Sequence, residues 1–353
     1  NGTLNGNQNG INANTSPSEF ITFTNAIIGG PGAGNVITGN EIGIMIETGR
    51  SALQGPVTIS HNYFSTDITG LQSAAGNTQF AISSFGAVAL NILNNVFTSQ
   101  VVGVRSISST SVNIRGNRFG INPNNITFSV MGTYAIQGEQ SAAFNIGGST
   151  PADQNTFAYY TNPIYLIDGA NANVAQNSFY CNQTVTFPEN QATNFRILEY
   201  SPTRIAGRGA PGSQVQLYYT ATTVCVSCNP QTYFATVVTD PLGQWEHERT
   251  DNRQVVASET IGTYTSGFQQ ANITLSDIRI TPAQCGVLSG KIELIDPRLG
   301  DFHFSLTDEN LSLYTINSDQ TYDSLAPGKY TLRYGIDNGC EDRTVEIEII
   351  NQQ

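Results

Sequence analysis

A short motif, Asn-x-Phe or a close variant, recurs through the first half of the chain and constrains its fold more than any other feature. It begins at Asn40, Asn62, Asn95, Asn117, Asn155 and Asn177. The successive spacings are 22, 33, 22, 38 and 22 residues. A fixed period of about 20 residues is typical of solenoids, in which each repeat packs only on its neighbours. The longer spacings then correspond to one coil with an insertion of about 11 or 16 residues in a loop.

The residues between the motifs favour strands. Val, Ile, Phe, Thr and Asn dominate residues 1–195, with glycine at the presumed corners, and no amphipathic helical run occurs there. Coils of about 22 residues built from short strands predict a parallel β-helix. Each motif Asn would tolerate a left-handed corner and stack its amide in a ladder. The aromatic or aliphatic residue two positions later would point into the core.

Three phrases resemble a known group of proteins. They are "IGGPGAGNVITGNEIGI" (Ile28–Ile44), "IRGNRFGINPN" (Ile114–Asn124) and "NIGGSTPADQNTF" (Asn145–Phe157). They are similar to the right-handed parallel β-helix repeats of large secreted and surface proteins, which are frequent in Bacteroidota. The resemblance implies the fold over roughly residues 20–195. It implies little about activity, because that fold carries lyases, hydrolases, adhesins and plain spacers.

The pattern changes after Phe195, where short strands alternate with turn signals, as in β-sandwiches. "GAPGSQVQLYY" (Gly209–Tyr219) with "TDPLGQW" (Thr239–Trp245) resembles bacterial immunoglobulin-like domains. "CGVLSGKIEL" (Cys285–Leu294), with "LAPGKYTL" and "DNGC", resembles the repeats of gliding-motility adhesins. We therefore predict an all-β chain with a right-handed parallel β-helix over 1–195, an Ig-like sandwich over 196–275 and a second small sandwich over 276–353. Because "NGTLNGNQNG" opens in the same Asn/Gly-rich style, we expect the sequence to be one stretch of a longer chain.

Charge excludes two classes of partner. The formal net charge is −12, and Lys291 and Lys329 are the only lysines. Nucleic-acid binding and adhesion to an anionic membrane both need a positive surface, which this composition does not supply. The apolar runs are too short to span a bilayer. We expect the partners to be a glycan or cell surface and the neighbouring domains of a longer chain.

The chemistry-bearing residues of the predicted β-helix are scattered. Asp67, Asp153 and Asp168 lie at different phases of the repeat, so they are not expected to converge as glycoside cleavage requires. His61 precedes a motif Asn and is interpreted as a solvated corner residue. Arg115 and Asp153 share a phase and are expected to form an exposed ion pair, which contributes little stability. We predict no catalytic residues, no metal site and no cofactor.

The cysteine positions suggest disulfides. Cys285 opens the last predicted unit and Cys340 closes it, so a bridge between them would tie its first and last strands. Cys225 and Cys228 lie in a predicted loop without further zinc ligands at suitable spacing, which favours a small disulfide. Cys181 would remain free. This use of cysteine indicates an oxidising, extracellular location.

Function is predicted from these exclusions. We interpret the chain as a non-catalytic secreted or cell-surface segment, a rigid stalk or adhesin part. One alternative is a polysaccharide lyase or glycoside hydrolase of the β-helix class. Another is a carbohydrate-binding module, for which the candidate residues are Tyr159, Tyr160 and Tyr165. Ser324 follows an aspartate in the short Asp-Ser-apolar pattern of Bacteroidota O-glycosylation, and Trp245 is expected to anchor a core.

Overall fold

The structure is a computed structural model of the 353-residue chain. It describes residues 9–14, 25–47, 56–74, 76–86, 89–98, 102–128, 131–183, 195–200, 203–220, 232–250, 253, 255–269, 275, 278–285, 287–295, 302–336 and 343–352. No helix within these ranges is long and apolar enough to cross a membrane. The fold is all-β, in agreement with the strand-forming composition.

Six successive coils form the first half of the chain, and each coil gives one strand to each of three sheets. The strands are β1 (Asn9–Asn14), β2 (Ile27–Ile28), β3 (Val36–Ile37), β4 (Ile42–Glu47), β5 (Val57–Ser60), β6 (Tyr63–Phe64), β7 (Phe80–Phe85), β8 (Leu90–Leu93), β9 (Val96–Phe97), β10 (Val102–Ile107), β11 (Val112–Arg115), β12 (Arg118–Phe119), β13 (Gly132–Glu139), β14 (Ala143–Gly147), β15 (Thr156–Ala158), β16 (Tyr160–Leu166), β17 (Asn171–Ala175) and β18 (Ser178–Tyr180). Sheet A contains β1, β4, β7, β10, β13 and β16. Sheet B contains β2, β5, β8, β11, β14 and β17, and sheet C contains β3, β6, β9, β12, β15 and β18.

All neighbouring strands of these three sheets pair in parallel, as in a parallel β-helix. We call β1–β18 the solenoid. Its interior consists of columns of apolar side chains, one residue per coil. In sheet A one column contains Ile44, Ile82, Val104, Ile136 and Ile164, each no more than 1% exposed. Because each coil places a similar apolar side chain at the same position, the repeated sequence produces a continuous apolar core.

The insertions inferred from the long spacings lie outside this core. The first forms the loop between β6 and β7, which closes on itself through a bridge between Thr66 and Ser73. The second is divided between the loop after β12 and the stretch before β15, which contains a short 3-10 helix (Pro151–Asp153). The two large loops contact each other, because Asn122 Nδ2 donates to Leu71 O at 3.2 Å.

Two groups of sheets follow the solenoid, and their strands pair antiparallel except in the two-stranded sheet of β27 and β34, which is parallel. The middle unit contains β19 (Arg196–Tyr200), β20 (Arg204–Arg208), β21 (Gln214–Tyr219), β22 (Thr232–Val238), β23 (Gln244–Glu248), β24 (Val255–Ile261) and β25 (Tyr264–Thr265). Its sheets have the orders β19-β20-β23 and β22-β21-β24-β25. The terminal unit contains β26 (Ile278–Thr281), β27 (Ala283–Gln284), β28 (Gly290–Leu294), β29 (Phe302–Asp308), β30 (Leu313–Tyr314), β31 (Thr321–Leu325), β32 (Gly328–Ile336), β33 (Arg343–Ile349) and β34 (Asn351–Gln352). Its sheets have the orders β26-β28-β31, β27-β34 and β30-β29-β32-β33.

The middle unit covers the last coil of the solenoid. Phe268 packs edge-on against Phe179, with the ring centroids 5.4 Å apart, and contacts the ring of Tyr218 at 4.7 Å. Tyr218 and Val256 belong to the same buried cluster as the solenoid core. The type of sheet therefore changes after β18, but the apolar core continues into the middle unit.

The middle unit also provides hydrogen-bond partners for the backbone of an edge strand of the solenoid. β17 is the last strand of sheet B, so its outer backbone groups have no further coil to pair with. Val174 N–H donates to Thr265 Oγ1 at 2.9 Å, and Gln216 Nε2 donates to Val174 O at 2.7 Å. Gln216 Oε1 accepts from Gln176 N–H at 2.6 Å. The side chains thus replace a strand and block the addition of another chain at this edge.

The cysteine predictions need correction. Cys285 carries a free, exposed thiol, so the predicted Cys285–Cys340 disulfide is wrong. Cys285 follows β27, which pairs with β34 and not with the strands that flank the segment holding Cys340. Cys181, predicted to be free, is disulfide-bonded, and its partner lies outside the described residues. The predicted pair Cys225–Cys228 also lies outside them.

Candidate functional site

The structure joins five of the six motif asparagines in a buried ladder. Each Oδ1 accepts two hydrogen bonds from the Asn one coil earlier, one from its backbone N–H and one from its Nδ2, at 2.8–3.1 Å. Each Nδ2 also donates to a carbonyl of the preceding coil, as Asn117 does to Ile92 O at 2.8 Å. The members are Asn62, Asn95, Asn117, Asn155 and Asn177, all 0% exposed. A ladder that is buried and internally satisfied has a structural role and offers no ligand site.

Asn40 is the exception among the predicted ladder residues. Asn35 occupies the first position instead, donating from N and Nδ2 to Asn62 Oδ1 at 3.0 and 2.8 Å. Asn40 lies at another corner, where its N and Nδ2 donate to Asn77 Oδ1. The reason is register, because β3 pairs with β6 and the residue immediately before β3 is Asn35.

At four of the five corners the left-handed residue is the one before the ladder asparagine, not the asparagine itself; at the fifth, Gln154 before Asn155 has a φ of −65°. Positive φ angles occur at His61 (57°), Asn94 (55°), Gly116 (67°) and Gln176 (55°). The prediction that the ladder Asn adopts this conformation is therefore wrong. Its amide has to point inward to the ladder, and the preceding residue makes the turn. His61 is thus a corner residue, as interpreted from the sequence.

The aspartates of the solenoid lie at three different corners. Asp67 accepts from the Thr69 hydroxyl and from the backbone of Leu71 and Gln72, and these hydrogen bonds lower its pKa. Asp153 lies 3.7 Å from Arg115, forming the expected exposed ion pair. Asp168 has a left-handed φ of 54° in the turn between β16 and β17. No group of three or more His, Cys, Asp or Glu suited to a metal occurs within the described residues.

The three tyrosines proposed for glycan binding do not share a surface. Tyr160 is fully buried, and its hydroxyl donates to Thr98 O at 3.3 Å, so its assignment as an exposed platform is wrong. Tyr159 makes the turn into β16 with a φ of 60°. Tyr165 is half-buried on the outside of sheet A, where it stacks on Tyr134 with ring centroids 4.4 Å apart.

A polar cluster surrounds this aromatic pair, and we call it the sheet A face. Arg105 makes two parallel hydrogen bonds to Glu139, from Nε at 2.8 Å and from an η nitrogen at 3.1 Å. Gln137 Nε2 donates to the same carboxylate at 2.8 Å. The Arg105 guanidinium lies over the ring of Phe80, 5.1 Å from its centroid. The face combines rings with fixed donors and acceptors, which suits binding of a polar ligand with apolar faces.

Two carboxylates of sheet A, Glu139 of the sheet A face and Glu47, do not form a catalytic pair. Glu139 and Glu47 occupy one column, three coils apart. At about 4.8 Å per coil their separation is roughly 14 Å, beyond the range of about 5–9.5 Å that glycoside hydrolysis uses. Glu139 is moreover bonded to Arg105 and Gln137. The arrangement can bind hydroxyl groups but does not position an acid and a base across one bond.

Sequence reasoning missed most of the sheet A face. Arg105, Tyr134 and Glu139 come from two strands that pair in sheet A, but they lie outside the Asn-x-Phe motif. Strict alternation from the buried Val104 and Ile136 would have placed Arg105 and Glu139 outside, but it would have placed Tyr134 inside, two residues before Ile136. Of the other predicted residues, Trp245 is buried and stacks on Phe195, whereas Ser324 is exposed in β31 with a φ of 58°.

The chain matches no protein-family model, and no curated protein matches it at a significant level.

Proposed function

We propose that the chain is a non-catalytic, secreted or cell-surface structural segment that acts as a stiff spacer or adhesin part. The supporting observation is the continuity of the core from the solenoid into the middle unit through Phe179, Phe268 and Tyr218. Such a junction resists bending because any hinge there would expose apolar surface to water. The mainly antiparallel sheets of the two later units support the proposal that each is a small Ig-like sandwich.

Rigidity of the junction can be measured directly. Spin labels at Thr58→Cys in the solenoid and Thr236→Cys in the middle unit, in a Cys285→Ser background, should give one narrow distance distribution by double electron–electron resonance. Replacing Phe268 by Ala should broaden it, whereas replacing the exposed Leu242 should not. A broad distribution in the unaltered junction would refute the spacer function. Protease treatment of intact producing cells tests location, because a surface chain is cleaved without lysis.

A second function is favoured by the sheet A face. We propose that it binds saccharides, with the edges of Tyr134 and Tyr165 against C–H groups and the Arg105–Glu139 pair against hydroxyl groups. Saturation-transfer NMR with neutral and acidic oligosaccharides tests this. Tyr165→Ala should remove the signal, and Tyr180→Ala, which alters a tyrosine of sheet C that is 39% exposed, should retain it. Equal binding by both variants would exclude this face.

The lyase or hydrolase alternative receives no support from the described geometry. Asp67, Asp153 and Asp168 occupy separate corners, and Glu47 and Glu139 are too far apart. Incubation with pectins, alginates and neutral glycans, with and without Ca²⁺, should release no new reducing ends or unsaturated products. Product formation that is lost on changing one of these carboxylates would establish the enzyme instead.

A further inference from the structure

The outer face of the three-stranded sheet of the middle unit contains a groove of about 570 Å³. Its floor is Ala206, in the central strand β20. Arg204 and Arg208 lie two residues before and after it on the same face, and Glu246 is its partner across the strand pair in β23. Leu198 closes the opposite side from β19. The groove exists because the side chain of Ala206 is only a methyl group. Its four neighbours have long side chains: Arg204, Arg208, Glu246 and Leu198.

The formal charges of the lining residues cancel, because the groove is lined by two arginines and two acidic residues. Arg204 forms ion pairs with Glu199 and with Glu246, so its guanidinium is held in place. Asp240 lies at the rim and accepts from the backbone of Leu242 and Gln244 at 2.8 Å. Arg208 is exposed and lines the groove, and its guanidinium has no hydrogen bond or ion pair with another described residue. The lining thus offers one uncommitted cationic donor beside fixed carboxylates, without a net positive field.

The floor of the groove is rigid. Gly207 follows Ala206 and faces the other side of the sheet, where an added Cβ would lie 2.7 Å from Cζ2 of Trp245. Trp245, directly opposite Gly207 in β23, is 3% exposed, and its Nε1–H has no hydrogen-bond partner within the part of the chain that the structure describes. The indole therefore supports the floor from beneath. A preformed hollow of this kind avoids the ordering cost that a mobile site would incur on binding.

We propose that this groove is a binding subsite for a neutral sugar residue of a glycan chain. Vicinal hydroxyl groups both donate and accept, which matches guanidinium donors alternating with carboxylate acceptors. The apolar strip of Leu198, Ala206 and Val238 suits the C–H face of a pyranose ring. An anionic sugar is disfavoured by Asp240, Glu246 and the chain's net charge of −12. The inference does not rest on the spacer function, since a flexible chain could bind in the same way.

Trp245 provides a local reporter because it is the only tryptophan of the chain. A ¹H–¹⁵N spectrum has one indole cross-peak, which arises directly beneath the groove. Titration with cello-, xylo-, manno- and laminari-hexaose up to about 10 mM, within the range of weak single-site affinities, should shift this peak saturably for at least one of them. Oligogalacturonate at the same concentration should leave it unchanged.

Two variants and a control localise the binding. Ala206→Met fills the hollow and should abolish the shift, while Arg208→Ala should weaken binding about tenfold through loss of a charge-assisted hydrogen bond. Arg279→Ala removes an exposed arginine of the terminal unit and should bind as the unaltered protein does. Because the Arg208 side chain has no partner among the described residues, its variant tests the site even if Ala206→Met does not fold. No shift with any neutral hexaose, a preference for oligogalacturonate, or unchanged affinity in Arg208→Ala would overturn the proposal.

Discussion

The solenoid and the middle unit solve the problem of buried polar groups in different ways. In the solenoid one solution is repeated, since each ladder Asn bonds to the next in the same geometry over five coils. In the middle unit each buried polar side chain is a separate case. Gln216 bonds to β17 of the solenoid, and Glu259 accepts from Ser213 Oγ at 2.6 Å and from the backbone of Ala210. A contact that repeats in every coil can be predicted from the spacing of residues in the sequence. A contact that occurs once is found only in the tertiary structure.

The aromatic column of the solenoid should show the largest effect. Phe119 lies between Phe97 and Phe157, with ring centroids 4.5 and 5.0 Å away, and it is 0% exposed. Phe119→Ala should lower the free energy of unfolding by about 3–5 kcal/mol, because the stacked neighbours cannot collapse into the cavity. Urea denaturation measures this. Phe85→Ala, which alters a 45% exposed ring on the outside of sheet A, is the matched control. A similar loss of unfolding free energy in both variants would contradict a special contribution of the buried column of rings.

The buried and outer asparagines of one coil can be compared next. Asn117→Ala should cost about 2–4 kcal/mol, because buried donors of Asn95 lose their acceptor at roughly 1–3 kcal/mol each. Among the described residues, the Asn113 side chain bonds only to those of Asn91 and Asn145, at 3.0 and 3.1 Å, on the partly exposed outer side of sheet B. Asn113→Ala should therefore cost less than about 0.5 kcal/mol, as surface changes usually do. Equal losses of unfolding free energy would show that burial does not distinguish the buried ladder from the outer row of Asn91, Asn113 and Asn145.

The junction between the two regions should show an intermediate effect. Gln216→Ala removes partners of Val174 O, Gln176 N–H and the Tyr218 hydroxyl, and should cost about 1–3 kcal/mol. Hydrogen exchange at the Gln176 amide should accelerate while exchange in β8 and β11 stays slow. Gln214→Ala, an exposed glutamine of the same strand, is the control. Unchanged protection of Gln176 would mean that the cap does not depend on this side chain.

The terminal unit should show the smallest effect. Cys285→Ser should change the free energy of unfolding by less than about 0.5 kcal/mol, because the thiol is free and exposed. Alkylation of the folded, unreduced protein followed by peptide mapping should label Cys285. Recovery of Cys285 in a disulfide-linked peptide would restore the pairing that the structure rejects. Labelling of Cys181 under the same conditions would contradict its disulfide.

Several features of the fold were predictable because stacking converts sequence spacing directly into contact. A recurring Asn two positions before a Phe is enough to predict both the ladder and the column of rings, since every coil repeats the same local turn. The first insertion was equally readable as excess length between two motifs. The misassigned Asn40 shows the limit of this reasoning. Asn35 and Asn40 both lie two positions before an isoleucine, and only the pairing of β3 with β6 selects Asn35.

The tertiary structure alone decided what depends on segments distant in sequence. Tyr160 and Tyr165 are equivalent candidates in the sequence, but the path of β16 buries the first and leaves the second half-buried on the outer surface beside Tyr134. Gln216 and Phe268 carry no motif, and their position over the last coil follows from how the middle unit packs. The hollow over Ala206 likewise requires three strands in register. The sequence by itself determined the repeating wall, because its contacts are set by spacing. Its ends, faces and grooves were decided by the meeting of elements whose relative register no local pattern encodes.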